Sequence, residues 1–413
     1  MARIVRQMRV AMLGWEFPPY NSGGLGVHCY ELTRKLANLG VEIDFFMPDT
    51  GQCESCSYPN LRIIQVCKTE LQPYYHYLKP QKPGARQKIK FNRVTDAAYV
   101  YNRMLEDAVS RLHGSRKYDI IHVHDWLTVQ GGIGLKHRLG LPLVQTYHST
   151  EYDRTSNPFE YIVGIEKAGL YHSDRVITVS NRTKHRLVAM GCPEYKIRVI
   201  YNGVDWEKFA KSPMLSHARQ PERQGKQPYF QRKRKIVLFL GRITEQKGPV
   251  NFLLAAKRVV EKYPDVLFLI AGTGDLLPTM INLSISLGLS SNVMFLGRIS
   301  EEDSRRIYAI ADLYVMPSMS EPFGITALEA MSSATPIMIS KTSGVSEVVR
   351  TAIKVDFWDI DAMAGKMISL LKFDTLRKAM SAHGNSEARR LTWDKTAQST
   401  LLVYHELLGF GGQ

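Results

Sequence analysis

Short apolar runs alternate with amphipathic stretches from one end of the chain to the other. In the first half the runs fall at residues 9–13, 42–46, 120–124, 143–147, 175–179 and 199–201, and in the second at 236–240, 267–270, 293–296, 313–316 and 336–339. Each is nearly continuous in apolar character, the mark of a strand covered on both faces. The stretches between them have helical patterning, so the chain is expected to form parallel sheets wrapped by crossover helices. A polar, proline- and arginine-rich stretch at about 206–235 interrupts the alternation. The expected architecture is therefore α/β, with two Rossmann-like, doubly wound parallel-sheet domains at 1–205 and 236–390 and a basic linker at 206–235. Residues 391–413 close the chain with a helical pattern whose apolar positions are Trp393, Leu401, Leu402, Tyr404, Leu407 and Leu408.

In doubly wound folds ligands bind beyond the carboxyl ends of the strands. The residues least suited to a core gather at those ends here. The first run is followed by Gly14-Trp15-Glu16, and the helix after it is introduced by Gly23-Gly24-Leu25-Gly26. The run at 120–124 ends in His124-Asp125-Trp126, the run at 236–240 leads into Gly241-Arg242 and then Lys247-Gly248, and the run at 267–270 leads into Gly272-Thr273-Gly274-Asp275. The run at 313–316 is the most informative. It passes through Ser320-Glu321-Pro322-Phe323-Gly324 into a helix from Ile325, with Glu329 two helical turns beyond Glu321 on the same side. A helix entered this way aims its free N–H groups and positive end at the loop, so an anion can sit there.

One kind of ligand accounts for all these features: a nucleoside diphosphate carrying a sugar. Glycines ahead of a helix let the backbone approach the diphosphate or sugar closely. Arg242 and Lys247 put fixed positive charge where a departing diphosphate gains negative charge. Glu329 suits a ribose diol, since a carboxylate accepts two hydroxyl hydrogen bonds, and Glu321 then faces the sugar.

With 413 residues, 44% apolar and 23% charged, the chain has the composition of an ordinary two-domain enzyme. No apolar stretch approaches the ~20 residues a bilayer span needs, and the basic N-terminus lacks a small-residue cleavage site, so a cytoplasmic location is expected. The net charge of +15 is concentrated at 79–93, which has no acid in it, and at 219–235. Such runs attract polyanions, but no nucleic-acid reading element accompanies them. A peripheral contact with an anionic inner membrane face is the partner they suggest, beside solvated loops. Of the five cysteines only Cys53 and Cys56 have C-x-x-C spacing, and no second pair accompanies them. Asp359-Ile360-Asp361 has the D-x-D spacing of a metal motif but falls at a helix start, where capping is expected. Neither a metal nor a cofactor is expected. Gly24-Leu25-Gly26 is followed by Cys29 where a dinucleotide fingerprint needs its third glycine, which argues against a nicotinamide oxidoreductase. A catalytically silent binding protein is expected to have lost acidic or basic site residues, and none is missing.

Together and in this order, the Glu321 to Glu329 pair, the Gly241-Arg242 to Lys247-Gly248 block, Asn202-Gly203-Val204-Asp205 and the Gly23-Gly24 loop resemble the retaining glycosyltransferases of family 4 over nearly the whole chain. The resemblance implies the GT-B fold, two Rossmann-like domains facing a central cleft, with the terminal helix crossing back to the first domain. It implies a retaining, metal-independent hexosyltransferase with a nucleotide-sugar donor and a saccharide acceptor. Carried over by resemblance, Arg242 and Lys247 bind the donor diphosphate and Glu329 the ribose. Glu321 and the backbone of Phe323, Gly324 and Ile325 hold the sugar and phosphate, with Gly272 and Gly274 completing the donor pocket. His124 stands beside the sugar near the anomeric centre, and Gly23 and Gly24 lie under the phosphate and acceptor. His124, Glu321, Arg242 and Lys247 then form the catalytic set, and His122, on the same strand face but deeper, is structural.

Within the family, Gly23-Gly24-Leu25 and His124-Asp125-Trp126 are similar to glycogen and starch synthases, which implies transfer of glucose from ADP- or UDP-glucose to an α-glucan. The chain departs from those synthases at Asn21, where they carry lysine, and at Thr342-Ser343-Gly344-Val345, where they carry Thr-Gly-Gly-Leu. The alternative is a membrane-associated transferase that builds a glycolipid or cell-surface glycan and docks through the basic run at 79–93.

Overall fold

The computed structural model describes residues 7–18, 23–49, 58–68, 88–210 and 234–409. The chain divides into two compact units, one formed by Met1–Asn202 with Trp393–Gln413 and the other by Gly203–Thr392.

The first unit is built on seven strands: β1 (Arg9–Leu13), β2 (Glu42–Asp49), β3 (Leu61–Lys68), β4 (Ile120–His124), β5 (Leu143–Tyr147), β6 (Arg175–Thr178) and β7 (Ile197–Val199). They pair in the order β3-β2-β1-β4-β5-β6-β7, every pair parallel. Successive strand residues face opposite sides of a sheet, so a continuous apolar strand feeds two cores. Val10, Met12, Ile43 and Phe45 pack with Leu32 and Leu36 of the helix Gly24–Asn38 and with Val403 and Tyr404 of the helix Trp393–Leu408. Ala11, Leu13, Phe46, Ile121 and Val123 pack on the other side with Tyr101 and Leu105 of the helix Lys88–Arg116 and Val129 and Leu135 of the helix Asp125–Leu139.

The helix Gly24–Asn38 buries Leu25, Cys29, Leu32 and Leu36, spaced by four and three residues along one face. It stops at Gly40, whose φ of 89° a side chain resists. The terminal helix is tied to the first unit by Thr396 Oγ1 donating to the Tyr201 carbonyl at 2.9 Å. Lys35 pairs with Asp394 at 2.9 Å, and Glu406 takes Arg175 and Arg198 at 3.2 and 2.9 Å.

The second unit has six parallel strands, β8 (Lys235–Leu240), β9 (Val266–Ala271), β10 (Val293–Gly297), β11 (Leu313–Met316), β12 (Ile337–Ser340) and β13 (Ile353–Val355), in the order β10-β9-β8-β11-β12-β13. Val237, Phe239, Phe268, Ile270, Leu313 and Val315 pack against Phe252 and Leu253 of the helix Pro249–Lys262 and Met363 and Met367 of the helix Ile360–Lys372.

β1, β4, β5 and β11 occupy the runs expected from the pattern, while β7 lies two residues earlier than its run. β3 and β13 were not expected. Both are edge strands, in which Arg62 and Gln65 break the first apolar run and Lys354 the second. Arg62 is in β3 to hold the buried Asp44 of β2 through contacts of 2.7 and 2.6 Å.

Within the expected linker, Trp206–Ala210 is a helix of the second unit, with Phe209 buried beside Tyr308, and 211–233 lie outside the described residues. Most of both basic runs lies outside them too, as do Cys53 and Cys56. At the end of the second run, Arg234 donates to the Ser291 carbonyl at 2.6 Å and Lys235 pairs with Asp374 at 3.3 Å. Asp359 caps its helix, accepting from Ala362 N at 2.9 Å, and Asp361 pairs with Arg258. No described helix is long and apolar enough to cross a membrane.

Candidate active site

In each sheet the winding reverses once, between β1 and β4 in the first unit and between β8 and β11 in the second, and a doubly wound fold opens its ligand crevice at such a point. In the second unit the chain leaves β8 through Gly241–Gly248 and β11 through Pro317–Gly324, and the two loops are fastened together. Met319 N donates to the Gln246 carbonyl at 2.9 Å. Gly248 has φ 66°, and a Cβ there would lie 2.2 Å from the Pro317 carbonyl oxygen, so only glycine permits the contact.

This fastening brings Lys247 Nζ to 2.6 Å from Glu321 Oε2, with Ser318 Oγ donating to the same oxygen at 3.2 Å. Glu321 is 7% exposed. Its backbone is pinned in turn, since Gly344 N donates to the Glu321 carbonyl and Val345 N to that of Phe323, each at 2.8 Å. Gly324, at φ 108° and against Met316, turns the chain into the helix Ile325–Ser332. Glu321 therefore belongs to the turn before the helix, as expected, and Glu329 lies about one turn inside that helix.

Glu329 accepts from Tyr308 Oη at 3.0 Å. Loss of hydration among its neighbours pushes its carboxyl up to about 7; Tyr308 and Lys208 oppose the rise and Glu301 adds to it. Tyr314 is buried between the elements and donates to Thr326 Oγ1 at 2.8 Å. Burial, with the Glu321 and Glu329 charges, raises its phenol well above the usual range. Arg242 is half-buried and close enough to Asp275 to oppose the rise that burial imposes on that carboxyl. Gly272 and Gly274 face protein: a Cβ on the first would lie 1.9 Å from the Gly241 carbonyl oxygen and on the second 2.2 Å from that of Ile243. Close packing of the loops that follow β8 and β9 is enough to require both glycines.

In the first unit His124 ends β4, 1% exposed, with its ring stacked at 4.6 Å on His122. His122 has both nitrogens occupied, Nδ1 at 2.6 Å from Tyr404 Oη and Nε2 at 2.7 Å from Thr146 Oγ1, so it is structural. His124 Nδ1 lies 3.0 Å from His148 Nε2, while its own Nε2 is buried without a partner among the described residues. Asp125 adopts φ 54° and accepts from His148 N at 2.7 Å, fixing the loop that follows β5. Burial raises its carboxyl to about 6 against the pull of Arg154.

Gly23 precedes the helix Gly24–Asn38 in extended conformation, and one turn into that helix is His28, which sequence reasoning did not single out. His28 Nδ1 meets Asn202 Oδ1 at 2.7 Å, and its ring lies 4.4 Å from that of His148 and 5.6 Å from that of Trp393. Its spacing of four from Gly24 was the available signal. Burial drives His28 and His124 well below the ordinary histidine range and His148 down to about 3, so all three are neutral near pH 7. They have ring nitrogens within 4.8 Å of one another and are the described group that could hold a metal ion.

Comparison with known proteins agrees with the two-unit fold. Residues 22–208 match the Glycosyltransferase Family 4 profile and residues 221–387 that of Glycosyl transferases group 1. The chain is 31% identical to an uncharacterized glycosyltransferase of Methanocaldococcus jannaschii, covering 96% of this chain and 98% of that protein. It is 27% identical to a D-inositol 3-phosphate glycosyltransferase of Kribbella flavida (96% and 95% covered) and 25% identical to a glycogen synthase of Mycobacterium tuberculosis (96% and 94%). Among solved structures, sucrose-phosphate synthase from Thermosynechococcus elongatus superposes with a TM-score of 0.79 at 21% identity, covering 98% of this chain and 100% of that one. Two parallel-sheet units, both family profiles and a relative matched from end to end identify the chain as a group 1, family 4 glycosyltransferase of the GT-B fold.

Proposed function

We propose that the chain is a retaining, metal-independent hexosyltransferase that moves a sugar, glucose in the leading reading, from a nucleoside-diphosphate donor to a saccharide hydroxyl. The observation that supports this most is the Lys247–Glu321 pair at the reversal point between β8 and β11, a cation and a carboxylate beside a helix N-terminus. In this reading Lys247 leaves Glu321 for the diphosphate and Arg242 adds a second fixed charge. Glu321, released, accepts hydrogen bonds from the sugar hydroxyls, and ionised Glu329 accepts both ribose hydroxyls. As the bond to the anomeric carbon lengthens, negative charge collects on the leaving phosphate oxygen, where the two cations and the helix N-terminus stabilise it. That oxygen then takes the acceptor's proton on the face it is leaving, so configuration is retained. In the first unit, His124, neutral and with a buried unpartnered nitrogen, is the candidate for contact with a saccharide hydroxyl.

An α-glucan acceptor is suggested by the likeness to glycogen synthase. A membrane-docked transferase acting on a glycolipid is the second reading, favoured by the acid-free basic run at 79–93. Release of nucleoside diphosphate from ADP-, UDP- and GDP-sugars, in the presence of EDTA, tests the proposal. Release stimulated by maltooligosaccharide, with an α-linked product by proton NMR, supports the glucan reading; stimulation only by lipid acceptors in anionic vesicles supports the second. No release from any donor rejects both.

A further inference from the structure

His28 is 2% exposed, and its Nε2 is buried without a hydrogen-bond partner among the described residues. The other nitrogen, Nδ1, lies 2.7 Å from Asn202 Oδ1. A carboxamide oxygen only accepts, so Nδ1 carries the hydrogen and Nε2 presents a lone pair. The ring sits one helical turn after Gly24, at the sheet end where β4 and β5 deliver His124 and His148, with Trp393 on another side. A lone pair in that position needs an O–H or N–H donor. Facing a phosphate oxygen, which only accepts, it is repelled.

We infer that His28 is a specificity-determining residue whose Nε2 accepts a hydrogen bond from a sugar hydroxyl, and that Asn202 is the positioning residue that holds it in the accepting tautomer. The inference rests on the saccharide-transfer reading and deepens it: the group received here is a neutral hydroxyl, not a phosphate. The hydroxyl can belong to the donor sugar or to the acceptor, and the chemistry is the same. A transition-metal ion is the rival occupant, since the three imidazoles lie close together. The geometry argues against it. The His124 and His148 rings are 19° from parallel with centroids 5.3 Å apart and nitrogens 3.0 Å apart, so they meet edge to edge with those nitrogens directed at each other. One of the two holds the shared proton, and a cation would have to break that contact.

Two measurements decide the matter. Long-range proton–nitrogen NMR on histidine-labelled protein, assigned by loss of signal in His28→Gln, should show Nδ1 protonated and Nε2 bearing the lone pair. This tautomer should be lost in Asn202→Leu. The reading does not depend on turnover, so it separates failure of this inference from failure of the transferase reading. In the second, kcat/KM is compared for deoxy analogues of the active donor without acceptor, and for deoxy analogues of the acceptor with the intact donor. One missing hydroxyl should cost the wild type roughly 10- to 100-fold, because it leaves the buried acceptor unpaired. That discrimination should vanish in His28→Phe and return in part in His28→Gln, and the set showing it names the source of the hydroxyl. A protonated Nε2, unchanged discrimination in His28→Phe, or one equivalent of Zn2+ bound by the wild type and lost in that variant would each overturn the inference.

Discussion

Replacing Lys247 by Met should separate the stability of the second unit from its chemistry. Glu321 and Lys247 are 2.6 Å apart with side chains only 10% and 19% exposed, so removing the ammonium leaves a carboxylate with Ser318 Oγ as its remaining side-chain donor among the bonds described. Breaking a fully buried pair costs ~3–5 kcal/mol and an exposed one ~1 kcal/mol or less. The partial exposure of Lys247 puts the expected loss at ~1–3 kcal/mol, a fall in Tm of roughly 2–12 °C. Adding Glu321→Gln removes the stranded charge, so the double variant should recover to within ~1 kcal/mol of wild type. Donor turnover should not recover, since in the proposed mechanism the cation for the phosphate and the carboxylate for the sugar are then both gone. All three variants should lose ~100-fold or more. Calorimetric unfolding and nucleoside diphosphate release, measured on the four proteins, test this directly. Additive stability losses in the double variant would show that the pair is not coupled, and turnover that recovered with stability would remove it from the chemistry.

Two further outcomes follow from buried polar groups. Because the Glu329 carboxyl titrates near 7, above the ordinary 4.5, donor KM should fall as pH rises through about 7 and level off above it, a dependence that Glu329→Gln abolishes. The sign for stability is opposite: a raised carboxyl favours the fold below the unfolded value, so wild type should lose stability relative to Glu329→Gln as pH rises from about 4.5 to 7. Tyr404→Phe strips His122 Nδ1 of its 2.6 Å partner where both side chains are 0% exposed, and should cost ~1–3 kcal/mol in urea unfolding. An unchanged urea midpoint would mean that the imidazole finds another partner.

The strands that carry the site were legible because a two-faced parallel strand must be apolar throughout, and β4 and β11 have no polar residue to break the pattern apart from the histidines and Tyr314. The edge strands β3 and β13 were not, because an edge tolerates Arg62 and Lys354 and the apolar run dissolves. Lys247, Glu321 and Glu329 could be picked out as charges at strand ends and in the helix that follows, places where a core would not admit them. The structure adds the loop fastening that joins Lys247 to Glu321, which no spacing in the sequence reveals. His28, Asn202 and His148 come from three separate segments, and only the winding of the first sheet brings them together. Gly272 and Gly274 show the converse: a glycine that reads as making room for a ligand is already required by a neighbouring loop.

The proposed function requires the reversal point between β8 and β11 to receive the diphosphate. Equilibrium binding of ADP, UDP and GDP to the wild type, Lys247→Ala and Arg242→Ala, by calorimetric titration, tests it most directly. The wild type should bind at least one of the three, and each variant should lose affinity for it by roughly tenfold or more, the scale of a lost charge-assisted contact. Equal affinity in all three proteins would contradict it and send the diphosphate elsewhere.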